Sequence, residues 1–311
     1  MEVGKVLDAK MDHVKSEKVV AAVKIGSDLR YYLGKFMREQ GYLEVPPVII
    51  SPLTDPLNHP VFDPVIDYYG EKYSLTKSMI FHKQIMVQSF GSIFTFSPNI
   101  RMEEAERSST GRHLSEFTQL DVEKRGATRD EIMTMVEGMI TGLFKYIREK
   151  DSEVLLGLGR ELHVPAKPFE RIKYLDAKKQ YGKDFESVLS KKKTEPFWII
   201  DIPLHQREFY DRESDTDPEI LVDMDLVYPE GFGEAISGGE REFKLDKIRE
   251  RISKKGQTEE QFKWFVEFAK RGLEPSAGFG IGIERLTRFI CGFKRIEDTH
   301  PFPKVPGEFS L

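Results

Sequence analysis

The hydrophobic positions change their period several times along the chain, and each change marks an element. From residue 17 to 40, Val20, Val23, Leu29, Leu33, Phe36 and Met37 fall at helical spacing, which predicts an amphipathic helix ended by Gly41. The run "YLEVPPVII" that follows is apolar and extended. Its consecutive prolines, Pro46 and Pro47, exclude a central strand and leave an edge strand or an interface segment. Residues 51–69 are rich in Pro and Asp, a loop long enough to suggest a lid or another functional segment. "YSLTKSMIFHKQIMVQSF" begins as a strand and turns helical near Phe81. Two runs of alternating character then flank a polar loop, predicting a hairpin with Arg101 at the end of one arm and Glu116 at the start of the other.

Further along, Thr128 and Glu131 make a capping box before a helix over 132–147. The charged stretch 178–193 falls within a peripheral insertion of about residues 150–195. "PFWIIDIP" and "ILVDMDLVYPEGFGEAISGG" return to strand character. Thr258 and Gln261 cap another helix, and "SAGFGIGIERLTRFICG" runs from Gly-rich strand directly into helix. Strands outnumber helices in the middle of the chain and seldom alternate with them. The expected class is therefore α+β, with a mainly antiparallel sheet flanked by helices, and not a doubly wound parallel sheet.

Composition narrows the picture a little. A chain of 311 residues can bury a large core as one sizeable domain or two modest ones. Its 52 acidic and 47 basic residues give a formal charge of −5, a weak global footprint for nucleic acid. No stretch is apolar enough to cross a bilayer or to act as a signal h-region, so a cytoplasmic protein is expected. A lone Cys291 excludes an intrachain disulfide and a Cys-based metal cluster; in "RFICGF" it reads as a small buried hydrophobe.

Two stretches carry candidate chemistry. "FSPNIRMEEAERSSTGRHLSEFTQLDVE" gathers Arg101, Glu103, Arg112, His113 and Phe117 at the ends of the predicted hairpin. In "GFGIGIERLTRFI", Gly278, Gly280 and Gly282 alternate along a strand and strip one face of side chains. Neither a Gly-Lys-Ser/Thr ending nor a GxGxxG turn is present, so P-loop and Rossmann logic do not apply. Taken singly, the glycines also fit close helix–strand packing, and Arg101 with Glu103 also fits an exposed ion pair of little energetic weight.

Taken together and in order, the two stretches resemble motifs 2 and 3 of class II aminoacyl-tRNA synthetases, and "GYLEVPP" after its helix resembles motif 1, which in that family builds the dimer interface. Within the class, "IRMEE…GRHLSEFTQLDVE" and "ISGGER" resemble the aspartyl/asparaginyl branch. The resemblance runs from about residue 20 to Pro306 and implies a single catalytic domain over 1–311, with motif 1 at about 20–50, motif 2 at 94–123 and motif 3 at 276–292. It implies that Arg101 bridges the α-phosphate of ATP and the attacking carboxylate, where a fixed guanidinium stabilises the charge that develops. Glu103 would accept from the adenine amino group, Phe117 would stack on the ring, and Arg112 and His113 would reach the outer phosphates. Gly282 and Arg285 would lie on the opposite side of the nucleotide. Asp225 and Glu234, with Ser237 as a weaker neighbour, resemble the family's ligands for Mg2+, an ion satisfied by few carboxylates plus phosphate and water. As bare sequence, these would be ordinary strand-end residues.

The amino-acid end departs from the pattern. Lys83 and Arg241, near Ser78, match positions where aspartyl enzymes hold the side-chain carboxylate, and two cations in one small pocket imply a dicarboxylic substrate, aspartate. Where that family has Ser-Pro-Gln-x-Tyr-Lys, this chain has Ser78, Met79, Ile80, Phe81, His82 and Lys83, and "SPLTDPLNHPVFDP" replaces the flipping loop. Changed amine holders beside retained carboxylate holders lead to the expectation of an end-for-end aspartate. Lys83 and Arg241 would then hold its α-carboxylate, and Asp55 would hold its ammonium or orient ammonia. "SPLTDP", "EFTQLD", "SGGERE" and "PFPKVPG" are similar to archaeal-type asparagine synthetases related to these tRNA synthetases. That implies a homodimer making asparagine from aspartate, ATP and free ammonia through β-aspartyl-AMP, with no tRNA. With the motif 1 helix beginning about 20 residues from Met1, neither an anticodon-binding barrel nor a glutaminase domain is expected. Two alternatives stay open: a truncated asparaginyl/aspartyl-tRNA synthetase-like enzyme activating the α-carboxylate for transfer to RNA, and a non-enzymatic paralogue acting as a regulatory or dimerising partner. The second would be favoured by loss of Arg101, Glu103 or Arg285, and all three are present.

Overall fold

The computed structural model describes residues 3–311. Its strands are β1 (Leu43–Glu44), β2 (Ile50–Ser51), β3 (Val65–Tyr68), β4 (Glu71–Leu75), β5 (Ser92–Ile100), β6 (Glu116–Arg125), β7 (Glu170–Lys173), β8 (Phe197–Pro203), β9 (Ile220–Tyr228), β10 (Gly233–Glu240) and β11 (Ser276–Gly282). The helices are α1 (Val3–Lys15), α2 (Glu17–Glu39), α3 (Ile80–Phe90), α4 (Arg129–Lys150), α5 (Ser152–Gly157), α6 (Tyr174–Tyr181), α7 (Phe185–Lys192), α8 (Leu245–Lys254), α9 (Lys263–Lys270) and α10 (Ile283–Cys291). The main sheet runs β1-β5-β6-β11-β10-β9-β8-β7, antiparallel except where β1 meets β5 and β7 meets β8. The expected α+β class with a mostly antiparallel sheet is what the chain adopts.

Period-two alternation decides which side of the sheet becomes core. Leu120 and Val122 of β6, Met224 and Leu226 of β9, and Phe279 and Ile281 of β11 all pack into one apolar cluster. Against them lie α2 through Ile25, Leu29 and Leu33, α4 through Val136, Ile140 and Leu143, and α10 through Leu286 and Ile290. The residues between them in sequence face the other way: Gln119, Asp121, Asp223, Gly280 and Gly282 line a cavity. That second face is covered by a smaller apolar cluster in which Phe81 of α3 packs on Phe209, Phe262 and Phe265. The polar face of the sheet is therefore also buried, and its charges need partners.

The capping signals hold. Thr128 accepts from the Glu131 N–H while Glu131 accepts from the Thr128 N–H, and Thr258 and Gln261 repeat the arrangement before α9. The proline run behaves as expected: β1 is an edge strand, and regular pairing stops at Val45. Helix α1 was not expected; it buries none of its side chains, so its sequence carries little core-facing signal. In the 150–195 stretch, β7 extends the sheet edge. The Ser190 hydroxyl of α7 donates to Tyr228 O and accepts from Gly233 N–H, tying α7 to the turn between β9 and β10.

The alternating glycines divide by role. A Cβ on Gly278 would sit 2.1 Å from Val122 O and 2.2 Å from a Glu123 carboxylate oxygen, so this position is close packing, whereas Gly280 and Gly282 face the cavity. Gly278→Ala is expected to lower stability by at least about 1–3 kcal/mol, the usual scale of overpacking. Gly138→Ala in α4 meets no atom within 4 Å and should raise stability by about 1 kcal/mol through helix propensity. Urea unfolding of the two variants beside the parent protein checks both signs.

Candidate active site

A cavity of about 520 Å³ opens on the polar face of the sheet. Strand alternation supplies its floor, the hairpin end at Arg101 one wall, and the 51–69 loop part of its cover. Of the residues expected at a nucleotide site, Arg101, Glu103, Arg112, His113, Phe117 and Arg285 all line it, together with Gly282. Of those expected at the amino-acid end, Asp55, Ser78, Lys83 and Arg241 line it.

At the hairpin end, Arg101 Nε donates to Lys77 O at 3.0 Å, and its guanidinium lies 5.2 Å from the centre of the Phe117 ring. Glu103 Oε1 is 3.2 Å from His59 Nε2 of the covering loop, while Glu103 Oε2 has no hydrogen-bond partner. Arg285 of α10 donates from Nη1 to Glu234 Oε1 at 3.0 Å and from Nε to Arg112 O at 3.3 Å. Burial, with Arg285, Arg112 and Arg107 close by, drives the His113 pKa down to about 3. His113 is thus neutral at physiological pH, and it can give an anion a hydrogen bond but no charge. Glu186 of α7 also reaches this end, 3.8 Å from Arg112. Burial and repulsion from Glu234 and Asp225 push its pKa up to about 7.

The amino-acid end corrects one expectation. Lys83 and Arg241 are not two free cations facing a pocket. Lys83 Nζ donates to Asp121 Oδ1 at 3.1 Å and to Phe279 O at 3.1 Å, and stands 3.7 Å from Glu123. Arg241 pairs through Nε with Glu123 at 3.2 Å and through Nη1 with Asp211 at 3.0 Å. The two cations are already met by three buried carboxylates, so the charge argument for a dicarboxylic substrate fails. Asp55 Oδ1 accepts from Leu57 N–H at 3.0 Å and from the Tyr210 hydroxyl at 3.1 Å, which fastens the covering loop to the cavity floor. Ser78 Oγ accepts from Ile80 N–H at the start of α3, a structural bond.

The expected metal ligands are close but engaged. Asp225 faces Ser237 across the β9–β10 ladder, and its Oδ2 takes a 2.5 Å bond from Arg207, which also stands 3.4 Å from Asp223. Burial alone would lower the Arg207 pKa, but Asp225 and Asp223 more than reverse this and hold it above its ordinary value. Burial raises both aspartates, with Arg207 opposing. Among the described residues no three His, Cys, Asp or Glu side chains form a preformed metal group. Asp225 Oδ1 is nevertheless a buried oxygen with no hydrogen-bond partner. Two carboxylates and a hydroxyl suit an ion that takes its remaining ligands from phosphate and water.

Several residues in or beside the cavity escaped the sequence reading. Asp121 and Glu123 form an i, i+2 pair, and Asp223 stands two residues before the expected Asp225; set among core residues, this pattern places both members of each pair on one strand face. Arg207, Tyr210 and Asp211 come from an irregular segment, and Glu186 from a helix far along the chain; neither carries a local signal. Glu284 read only as part of a motif, yet both its oxygens lie near 3 Å from Thr118 N and burial lifts its pKa to about 7.

Comparison with known proteins gives the family. A family model described as "tRNA synthetases class II (D, K and N)" matches residues 5–306. The asparagine–tRNA ligase of Thermus thermophilus is 30% identical over 326 residues, covering 96% of this chain and 74% of that protein. The asparagine–tRNA ligase of Koribacter versatilis is 29% identical over 314 residues, covering 94% and 70%. The crystal structure of asparaginyl-tRNA synthetase from Pyrococcus horikoshii complexed with asparaginyl-adenylate superposes with a TM-score of 0.88 at 25% identity, covering 98% of this chain and 73% of that one. These relatives overturn the expectation of an asparagine synthetase that uses free ammonia, forms β-aspartyl-AMP and has no tRNA partner: they are named as tRNA ligases, and the bound adenylate in that structure is asparaginyl.

Two outcomes follow from the site's electrostatics. Lys83→Ala strands Asp121 without its cation, while Glu123 keeps Arg241, and should cost about 3–5 kcal/mol in urea unfolding, the usual result of removing one partner from a buried pair. Glu284, with a folded pKa raised from 4.5 to about 7, favours the folded state most below pH 4.5 and loses that contribution as pH rises through 7. Glu284→Gln should therefore flatten the fall in melting temperature across that window, as followed by circular dichroism.

Proposed function

Because the chain belongs to the class II tRNA synthetase family of the D, K and N type, we propose that it activates the α-carboxylate of asparagine with ATP and transfers the acyl group to RNA. One observation carries the choice of asparagine over aspartate: Lys83 and Arg241 are both already paired with buried carboxylates. A second substrate carboxylate would enter the end of the cavity where Lys83 and Arg241 are already paired, whereas a neutral amide needs only hydrogen-bond donors and acceptors. The curated relatives are named for the same amino acid.

In the first half-reaction an α-carboxylate oxygen attacks the α-phosphorus of ATP. A P–O bond forms, the bond to the bridging oxygen breaks, and pyrophosphate leaves. Arg101, held by Lys77 O, aims its guanidinium where both reacting groups meet and stabilises the charge that builds there. Arg285 and Arg112 face the outer phosphates, with His113 as a neutral donor. Glu103, buried and with one oxygen free of hydrogen bonds though 3.6 Å from Arg107 Nε, receives the adenine amino group. Asp225, Glu234 and Ser237 would hold a magnesium ion, which neutralises phosphate charge when bound. Asp55, which lines the cavity, would take the substrate ammonium.

Assembly as a homodimer belongs to the same reading. The motif 1 segment leaves Leu43, Ile49 and Ile50 about half exposed beside Pro46 and Pro47. Among the described residues no helix is long and apolar enough to cross a membrane.

Asparagine-dependent exchange of labelled pyrophosphate into ATP tests the first half-reaction, and acid-precipitable asparaginyl-tRNA the second. Arg101→Ala should lower the exchange rate by about a hundredfold or more, the usual cost of removing a donor aimed at developing charge. An exchange rate unmoved by asparagine, or unmoved by the loss of Arg101, would remove this reading.

A further inference from the structure

We propose that Arg207 is a positioning residue that holds the divalent-cation site closed until the nucleotide arrives, so that metal enters with ATP and not before it. This rests on the ATP- and metal-dependent reading above and says which event comes first.

Each carboxylate expected to bind metal has a resident arginine. Arg207 holds Asp225 at 2.5 Å, and Arg285 holds Glu234 at 3.0 Å. Arg207 and Arg285 stand among Asp223, Asp225 and Glu234, and Arg112, whose carbonyl accepts from Arg285, lies 3.8 Å from Glu186 beside them. A bare divalent cation would meet only the unpartnered Oδ1 of Asp225 and would stand beside two guanidinium groups that repel it. A triphosphate changes the balance. Its negative charge draws Arg285 and Arg112 toward the phosphates, frees Glu234, and supplies most of the oxygens the metal needs.

Arg207 has a second acceptor waiting. Its tie to Asp225 is short, whereas Asp223, two residues along the same strand face, lies at 3.4 Å without hydrogen-bond geometry to Nε. Asp223 Oδ1 and Arg207 Nε are both buried and lack hydrogen-bond partners. The guanidinium can therefore pass from Asp225 to Asp223 without leaving its carboxylate environment, and Asp225 then offers both oxygens. The backbone need not follow. Arg251 pins this segment from α8, donating to Glu208 O at 2.6 Å and to Asp211 O. The side chain is the moving part.

A purely structural ion-pair partner predicts the opposite response to substitution: losing it would disorder Asp225 and weaken metal binding. Titration of Mn2+ followed by its electron paramagnetic resonance signal separates the two. The parent protein should bind Mn2+ about tenfold or more tightly in the presence of a non-hydrolysable ATP analogue than alone, within the ordinary range of coupling between sites. Arg207→Met, which keeps the stem and removes the charge, should bind nucleotide-free Mn2+ about tenfold tighter than the parent and lose most of that coupling. By reciprocity, the tightening of the analogue by Mn2+ should shrink by the same factor. Arg207→Lys keeps a cation beside the aspartates but lacks the fork, and serves if the Met variant does not fold; it should shift in the same direction by less. Equal Mn2+ affinity of the parent with and without nucleotide overturns the proposal. So does an Arg207 variant that binds Mn2+ no tighter than the parent. Analogue binding measured in EDTA keeps the two levels apart. If the analogue never binds, the adenylation reading fails as well; if it binds while Mn2+ uptake ignores it, only this inference fails.

Discussion

The fold depends on neutralising a sheet face whose charged side chains are almost wholly withdrawn from solvent. Asp121, Glu123 and Asp223 are each at most 2% exposed, and all three project from the sheet away from the large apolar core. Buried carboxylates persist only when paired and hydrogen-bonded. Lys83 from α3, Arg241 from the end of β10 and Arg207 from the segment before β9 meet that need. Each comes from a different part of the chain, so the charge network also fixes how α3, β10 and the 207–211 segment sit over the sheet. The apolar contacts of Phe81 with Phe209 and Phe265 close the same layer from outside.

That neutralisation separates the two ends of the cavity chemically. Toward the hairpin, Arg101, Arg112 and Arg285 face the open volume, a concentration of positive charge suited to a polyphosphate. Toward α3 the cations are internally matched, and what remains for a ligand is a set of oriented donors and acceptors with Asp55 and Tyr210 at the rim. On the proposed reading, one end binds by charge and the other selects by hydrogen bonding. Specificity of the second kind is strict, because a wrong ligand leaves buried polar groups unpaired.

Much of this was legible in the chain because local patterns carried it. Alternation in "TQLDVE" and "GFGIG", the two capping boxes, and the ordered motifs around Arg101 and Arg285 gave the sheet, the helices and the arginine-rich end of the cavity. The amino-acid end was misjudged for a physical reason. Lys83 and Arg241 were visible as cations, but Asp121, Glu123 and Asp211, which pair with them, lie 30 to 118 residues away in sequence. A charge's availability depends on long-range pairing that no local spacing encodes. The same holds for Arg207 beside Asp225, and for Glu186, whose helix reaches the site only because β7 and α7 fold back on the sheet.

The central claim is that Lys83 and Arg241, on the pocket floor, are already neutralised by buried carboxylates. Calorimetric titration of asparagine and of aspartate, each in the presence of a non-hydrolysable ATP analogue, tests it most directly. The account predicts that asparagine binds and that aspartate binds at least about tenfold more weakly, the effect of about 1.4 kcal/mol of unmatched charge. Aspartate binding as tightly as asparagine, or more tightly, would contradict it.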